Sequence, residues 1–321
     1  MKLENPEVRI ETTNRCNAKC IMCPRDQMTR QQTTMPMGHF QALVMQSKKL
    51  HAKLISPFGY GEPFMDKEII EKVKFCSVNN LDTFITTNGS MVTQDKAKSI
   101  LEAGLSHIRF SFHAVFPHDY ETTHIGLKWA DTMRNVLNFI ELRNTKYKRC
   151  KISMTCMPLS GESAFDFKKL WLKQVDWLEI WKPHNWVDAK KYRVNHGERD
   201  RRSTCGRPAR GPVQINADGK IMVCCFDTDA KMVIGDTYKN SIEEILNGSR
   251  LAEIRRIHEN DANLDNSLPC HNCDQLNKQN YLMFSSRDEE MKGSHTSSIK
   301  FELTIPRGGR ALKIKEKKRW H

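Results

Sequence analysis

The chain has 321 residues, a formal net charge of +13 and 11 cysteines. That length allows one large domain plus a smaller one with a sizeable core. No stretch approaches the ~20 apolar residues of a membrane-spanning helix, and the N-terminus has no apolar signal core. A cytoplasmic location with no membrane contact is therefore expected. In a reducing compartment, many cysteines indicate metal or redox chemistry rather than disulfides. Much of the positive excess lies between Arg307 and Arg319. Such a tail suits nucleic acid, phosphorylated substrates or acidic partners, and equally a merely solvated end. No nucleic-acid-binding motif accompanies it.

In chain order, Glu7 to Thr12 alternates polar and apolar residues as a short strand does. A loop with Cys16, Cys20 and Cys23 follows. Gly38 to Leu50 reads as a helix with Phe40, Leu43, Val44 and Leu50 on one face. Lys53 to Phe58 is a second strand, ended by Gly59-Tyr60-Gly61-Glu62-Pro63. Asp66 is expected to cap a helix running to Asn79, with Ile69, Ile70, Val73 and Phe75 as its apolar set. Asp82 to Thr87 is a third strand, and Thr93 caps a helix that stops at Gly104. Ser106 to His113 alternates as a fourth strand. A long loop then leads to a helix over Asp131–Thr145. Lys151 to Met157, a helix near Ser163–Gln174, and Trp177 to Trp181 complete the pattern.

Six strand–helix alternations imply a parallel sheet with helices outside. They are fewer than the eight of a closed barrel, so the expected fold is α/β, a partial (β/α)6 TIM-like barrel. Chemistry in such folds sits at the C-terminal ends of the strands. The cysteine loop, the Gly59–Pro63 turn and the Thr86–Gly89 turn all follow strands and should meet on one rim. Three thiols this close suit an iron–sulfur cluster or zinc. Structural zinc takes four protein ligands, and the local set stops at three. Three thiolates on a [4Fe–4S] cluster leave one iron open.

The run Cys16-x3-Cys20-x2-Cys23 resembles the signature of the radical S-adenosylmethionine (SAM) enzymes. In that family three cysteines hold a [4Fe–4S] cluster and SAM chelates the remaining iron. The resemblance implies that Met22 lies near the adenine. It further implies that Gly59, Tyr60, Gly61, Glu62 and Pro63 stand where the family's G-G-E-P turn binds the SAM amino group, with Tyr60 between the glycines as a departure. Thr87 and Asn88 resemble the family's strand-three end, near the SAM ribose and methionyl groups, and Ser111 is a further contact. Read from the residues alone, glycines permit close backbone approach and Glu62 can accept from an ammonium group. Arg109, His113, Lys182, His184 and Tyr192 are candidates for a catalytic base. Trp177, Trp181 and Trp186 are candidates for pocket walls, with core packing favoured for Trp177.

After Trp181 the pattern changes. Lys182 to Arg202 is polar and irregular, a passage between domains. Cys205 follows, then a hairpin of Val213–Ile215 with Lys220–Val223 across an Asp-Gly turn. The second strand delivers Cys224 and Cys225. A helix carrying Ile242, Ile245, Leu246, Leu251, Ile254 and Ile257 precedes Cys270-x2-Cys273. Four such cysteines read as a metal site, zinc or iron–sulfur. The spacing Cys205-x13-Gly219-x4-Cys224 resembles the first half of the SPASM motif, and the short continuation resembles a twitch domain with one auxiliary [4Fe–4S] cluster. The implied ligands are Cys205, Cys224, Cys270 and Cys273. Cys225, adjacent on a strand, should face the other way; it could replace Cys224, donate a hydrogen atom or pack, and packing is the favoured reading.

The expected organisation is a radical SAM barrel over 1–190, an α+β SPASM/twitch domain over 191–287 and a basic tail over 288–321. The resemblance implies cleavage of SAM to a 5′-deoxyadenosyl radical and hydrogen abstraction from a small polar substrate, a sugar or aminocyclitol, with the auxiliary cluster assisting an oxidation. A peptide maturase (thioether, C–C crosslink or epimer) and an RNA-modifying enzyme docking through the basic tail are the alternatives. A non-catalytic iron–sulfur carrier is a further one. A flavodoxin or ferredoxin is the implied reductant.

Overall fold

The computed structural model describes residues 1–157, 164–181, 185–187, 189–190, 204–260, 267–276 and 282–285. Its centre is a run of parallel strands: β1 (Glu7–Ile10), β2 (Leu54–Ser56), β3 (Asp82–Thr87), β4 (His107–Ser111), β5 (Lys151–Cys156) and β6 (Trp177–Ile180). They lie side by side in chain order. Val8 stands opposite Ile55, Ile55 opposite Thr83, and Ile108 opposite both Ile85 and Ile152. The crossovers contain α1 (Met37–Lys49), α2 (Ile69–Val78), α3 (Gln94–Glu102), α4 (Pro117–Thr123), α5 (Trp129–Lys146) and α6 (Ala164–Trp171). The α/β class and the partial TIM-like barrel expected from the alternation are what the chain adopts.

Along β1 all four residues are buried. Val8 and Ile10 pack with Phe40, Leu43 and Val44 of α1 in one core cluster. Glu7 and Arg9 point the other way and bond each other, Arg9 Nε donating to Glu7 Oε1 at 2.7 Å. The alternation in β1 therefore separates barrel interior from helix layer, not core from water. A second core cluster joins Ile85, Ile108, Phe110, Ile152 and Met154 to α3, α5 and α6.

The second half of the chain joins the same sheet. β7 (Val213–Ile215) runs parallel to β1, β8 (Lys220–Met222) antiparallel to β7, and β9 (Val233–Asp236) antiparallel to β8. At the far edge β10 (Leu282–Ser285) pairs antiparallel with β6. Two helices, α7 (Ile242–Leu246) and α8 (Ser249–Asn260), follow β9. The passage at 191–203 and the tail at 288–321 lie outside the described residues.

Several local expectations are corrected. Asp66 does not cap α2. It closes a 3-10 turn, Pro63–Met65, and the cap position is Glu68. Asp66 instead accepts from the Glu68 N–H and from Lys72 Nζ, at 3.0 and 2.7 Å. The inward face of α2 is Ile69, Lys72, Val73 and Cys76, while Ile70 and Phe75 are only half-buried. The loop after β4 contains α4, hidden from a periodicity reading by its shortness. The helix expected from Ile242 to Ile257 is two, separated at Asn247-Gly248, the first carrying a Ser241–Glu244 capping box.

Candidate active site

The C-terminal ends of the strands open into a cavity of about 290 Å³. Cys16, Cys20 and Cys23 all line it, as does Met22. Their loop is held by bonds within itself and by bonds from residues over one hundred positions away. Lys19–Cys20 pairs antiparallel with His124–Ile125, and the Cys23 N–H donates to Cys20 O at 3.0 Å. Arg25 Nη2 donates to Asn14 O at 3.1 Å, and Trp186 Nε1 to Met22 O at 2.8 Å. Burial pushes the Cys16 and Cys20 thiols up and Cys23 up to about 11. Buried thiols of this kind are held protonated until a cation takes the sulfur as thiolate.

The Gly59–Pro63 turn packs directly on this loop. The Glu62 N–H donates to Arg15 O at 2.8 Å. A Cβ at Gly61 would stand 2.2 Å from Thr13 O, and one at Gly59 would stand 2.5 Å from Glu11 Cγ. Glycine is thus required by close approach. Glu62 is 2 % exposed. Its Oε1 accepts from Thr87 Oγ1 at 2.7 Å and its Oε2 from the Asn88 N–H at 2.8 Å. Burial nevertheless raises its carboxyl above the usual carboxylate range, against those bonds. Tyr60 lines the cavity, and its hydroxyl donates to Cys225 O at 2.7 Å, tying the barrel to the β8 hairpin. Pro63 is buried at the start of its 3-10 turn and is not among the cavity-lining residues.

Thr87, Asn88 and Ser111 line the cavity. Arg109 does so with its guanidinium engaged: Nη1 donates to Glu179 Oε2 at 3.1 Å, between the faces of Phe84 and Trp181. His113 also reaches the cavity and stacks on His124 at 5.2 Å. Burial, then the neighbouring His124, hold it well below the usual histidine range, so it is a neutral imidazole. Trp181 and Trp186 are walls, whereas Trp177 lies tilted against His107 at 4.6 Å and is not a lining residue. Lys182, His184 and Tyr192 lie outside the described residues.

Cys205, Cys224, Cys270 and Cys273 line a second, smaller hollow beneath the hairpin, together with Val223, His258 and Leu276. The hollow is only about 10 Å³, so the side chains around it would have to move apart to admit a cluster. Burial pushes Cys270 up to about 12 and Cys273 well above the usual thiol range. Among the described residues no three His, Cys, Asp or Glu side chains converge to hold a single metal ion. Thiolates serving separate irons of a cluster need not meet at one point. Cys225 lies past the end of β8, in the turn after Met222, so strand parity does not place it. Half-buried, it packs against the core cluster of Val223, Phe226 and Leu251, as the favoured reading has it. It lines the large cavity, where Arg207 Nη1 donates to its Sγ at 3.1 Å.

Some lining residues escaped the sequence reading: Arg9, Glu11, Glu179, Gln214 and Asn216. For Arg9, Glu179 and Gln214 the signal is a polar residue between apolar neighbours on a strand, as in Leu178-Glu179-Ile180 and Val213-Gln214-Ile215. That pattern reads as an exposed face unless both sheet faces are covered.

Comparison with known proteins agrees with this geometry. The radical SAM superfamily profile matches residues 10–170, and that of an iron–sulfur cluster-binding domain, SPASM, matches residues 205–274. A probable GTP 3′,8-cyclase of Methanothermobacter marburgensis is 34% identical over 114 residues, 35% of this chain and 37% of that protein. The chain thus spans well under half the length of such curated relatives. A tungsten-containing aldehyde ferredoxin oxidoreductase cofactor-modifying protein of Pyrococcus furiosus is 27% identical over 103 residues, 32% of this chain and 29% of that protein. Among solved structures, BtrN in complex with AdoMet and 2-DOIA has a TM-score of 0.58 at 18% identity, covering 85% of this chain and 94% of BtrN. Streptococcus suis SuiB bound to its precursor peptide SuiA has a TM-score of 0.66 at 14% identity, covering 85% and 70%. At these identities the structures show the shared fold. Among the described residues no helix is long and apolar enough to cross a membrane. The chain belongs to the radical SAM superfamily, with a SPASM iron–sulfur domain in its second half, and its cofactors are SAM, a SAM-binding [4Fe–4S] cluster and an auxiliary cluster.

Proposed function

We propose that this chain abstracts hydrogen from a small polar substrate, a sugar or aminocyclitol, in an oxidation assisted by the auxiliary cluster. When bound, the cofactors supply a 5′-deoxyadenosyl radical from SAM and a second iron–sulfur centre able to accept an electron. The residues present fit them. Cys16, Cys20 and Cys23 are the ligands of the first cluster in this reading, and Cys205, Cys224, Cys270 and Cys273 those of the second, the twitch arrangement within 191–287. Glu62 receives the SAM ammonium group, with Thr87 and the Asn88 N–H holding its carboxylate in place. Met22, Asn88 and Ser111 line the same space. Trp181 and Trp186 wall off water and narrow the cavity around a substrate. His113, a neutral imidazole that lines the cavity, is the residue this reading assigns to accept a proton from a carbinol.

The observation that carries this reading is one cavity lined at once by the three-cysteine loop, the glycine–glutamate turn and the β7–β8 hairpin. The test is anaerobic reconstitution with iron and sulfide. About eight irons per chain are expected, with 5′-deoxyadenosine formed on reduction. Cys20→Ala should abolish that nucleoside, and Cys270→Ala should retain some of it while losing oxidised product. Wild-type nucleoside release from the Cys20 variant would overturn the assignment.

A further inference from the structure

Tyr60 stands between the two glycines of the Gly59–Pro63 turn, and its phenol has no part in the cofactor assignments above. It is bonded at both ends. Its N–H donates to Glu11 Oε1 at 2.8 Å. Glu11 is 3 % exposed, and its Oε2 also accepts from Arg30 Nη1 and from the Ala217 N–H, each at 3.0 Å. The Tyr60 hydroxyl donates to Cys225 O at 2.7 Å and accepts from Thr228 Oγ1 at 3.2 Å. Arg30 Nε donates to Thr228 O at 2.8 Å. The glycine–glutamate turn and the segment after the cysteine loop thus clasp residues 225–228 between them.

The clasped residues form a turn folded on Cys224. The Phe226 N–H donates to Cys224 Sγ at 3.4 Å, and the Asp227 N–H to Cys224 O at 3.3 Å. The Cys225 carbonyl lies inside that turn and moves with Cys224, so a cluster bound to Cys224 would fix it. A fixed acceptor holds the phenol, and the phenol holds the turn that carries Glu62. The two cofactor sites then share one ordering cost. Whichever is filled first stills both turns, and the other binds to backbone already ordered. Linkage makes the effect reciprocal.

We propose that the Tyr60 hydroxyl couples the two cofactor sites, so that loading the auxiliary cluster tightens SAM binding at the glycine–glutamate turn. This rests on the proposed roles of both cysteine sets and of that turn, and it adds a linkage between them. Tyr60 acts here as a positioning residue, through the backbone it holds.

The test measures SAM affinity by anaerobic isothermal titration of the reconstituted wild type, Tyr60→Phe, Cys270→Ala and the double variant. Iron content should be about eight per chain in the first two and about four in the others. Cys270→Ala should weaken SAM binding about fivefold, the worth of one hydrogen bond. On the Tyr60→Phe background the same change should weaken it by no more than about twofold. Two losses that simply multiply in the double variant would overturn the coupling. Amide hydrogen exchange without SAM is a second readout, and it needs no cysteine variant. The amides of Tyr60 and Glu62, bonded to Glu11 and Arg15, should exchange about fivefold faster in fully loaded Tyr60→Phe than in the wild type. Equal exchange would overturn the proposal too. A loaded wild type that binds SAM but lacks these differences removes the coupling alone. One that binds no SAM removes the reading of the turn, and the coupling with it.

Discussion

Gly61→Ala is the sharpest test of how the turn and the cysteine loop fit together. The new Cβ would stand 2.2 Å from Thr13 O, 2.6 Å from Arg15 O and 2.8 Å from Thr13 C, all backbone atoms of the cysteine-bearing segment. No flexible side chain can yield, so the segment itself must retreat by about 0.8 Å to restore the tightest tolerated contact of 3.0 Å. Overpacking of this kind costs about 1–3 kcal/mol. The bond from the Glu62 N–H to Arg15 O, next to Cys16, would lengthen and forfeit about 1 kcal/mol more. A total of about 2–4 kcal/mol lowers the melting temperature by about 3–6 °C in a chain of this size. A displacement near 1 Å at a reacting centre costs about 100-fold in rate. The assay is melting temperature together with 5′-deoxyadenosine release after reconstitution. Gly38→Ala is the control, because nothing lies within 4 Å of its added Cβ, and there a gain of up to about 1 kcal/mol is expected. A Gly61→Ala protein with wild-type melting and wild-type SAM cleavage would refute the close packing of turn on loop.

Further outcomes follow from buried charges. Glu62 is raised by burial above its ordinary carboxylate value of 4.5, so SAM binding, which needs the ionised form, should weaken as pH falls through that raised value. Isothermal titration across pH reads this, and Glu62→Gln should flatten the profile while weakening binding. In the SAM-free protein the sign reverses. Its contribution to stability is full below the ordinary carboxylate value and is lost as pH rises through the raised one, so denaturation midpoints of wild type and Glu62→Gln should diverge there. Lys72 is fully buried, bonded to Asp66 and to Met35 O at 2.7 and 2.6 Å. Lys72→Met should cost about 3–5 kcal/mol by leaving Asp66 uncompensated. Urea unfolding of Lys72→Met beside Lys72→Met/Asp66→Leu checks it, the double variant recovering most of the loss. Equal losses in both would show that packing, not charge, is at stake.

The cysteine spacings and the Gly59–Pro63 turn were visible because they are local: a few residues dictate where thiols and backbone amides can go. The β/α alternation was visible for the same reason, and Thr93 caps α3 as its sequence requires, accepting from the Lys96 N–H. Asp66 misled because its partner, Lys72, is a buried cation that apolar periodicity does not register. Cys225 packs against a core cluster as expected, but nothing near it in sequence says that its other side meets the cavity.

The chain's sequence by itself determined the α/β class, the close grouping of Cys16, Cys20 and Cys23 and the order of the rim loops, all set by short-range spacing and period. Only the tertiary structure decided that β7 docks on β1 and continues the barrel sheet. That one pairing joins residues some two hundred positions apart, and it brings Gln214 and Asn216 to the cavity that Cys16, Cys20, Cys23 and Glu62 also line. Strand pairing of that kind depends on backbone hydrogen bonds and a shared core, which no local pattern encodes.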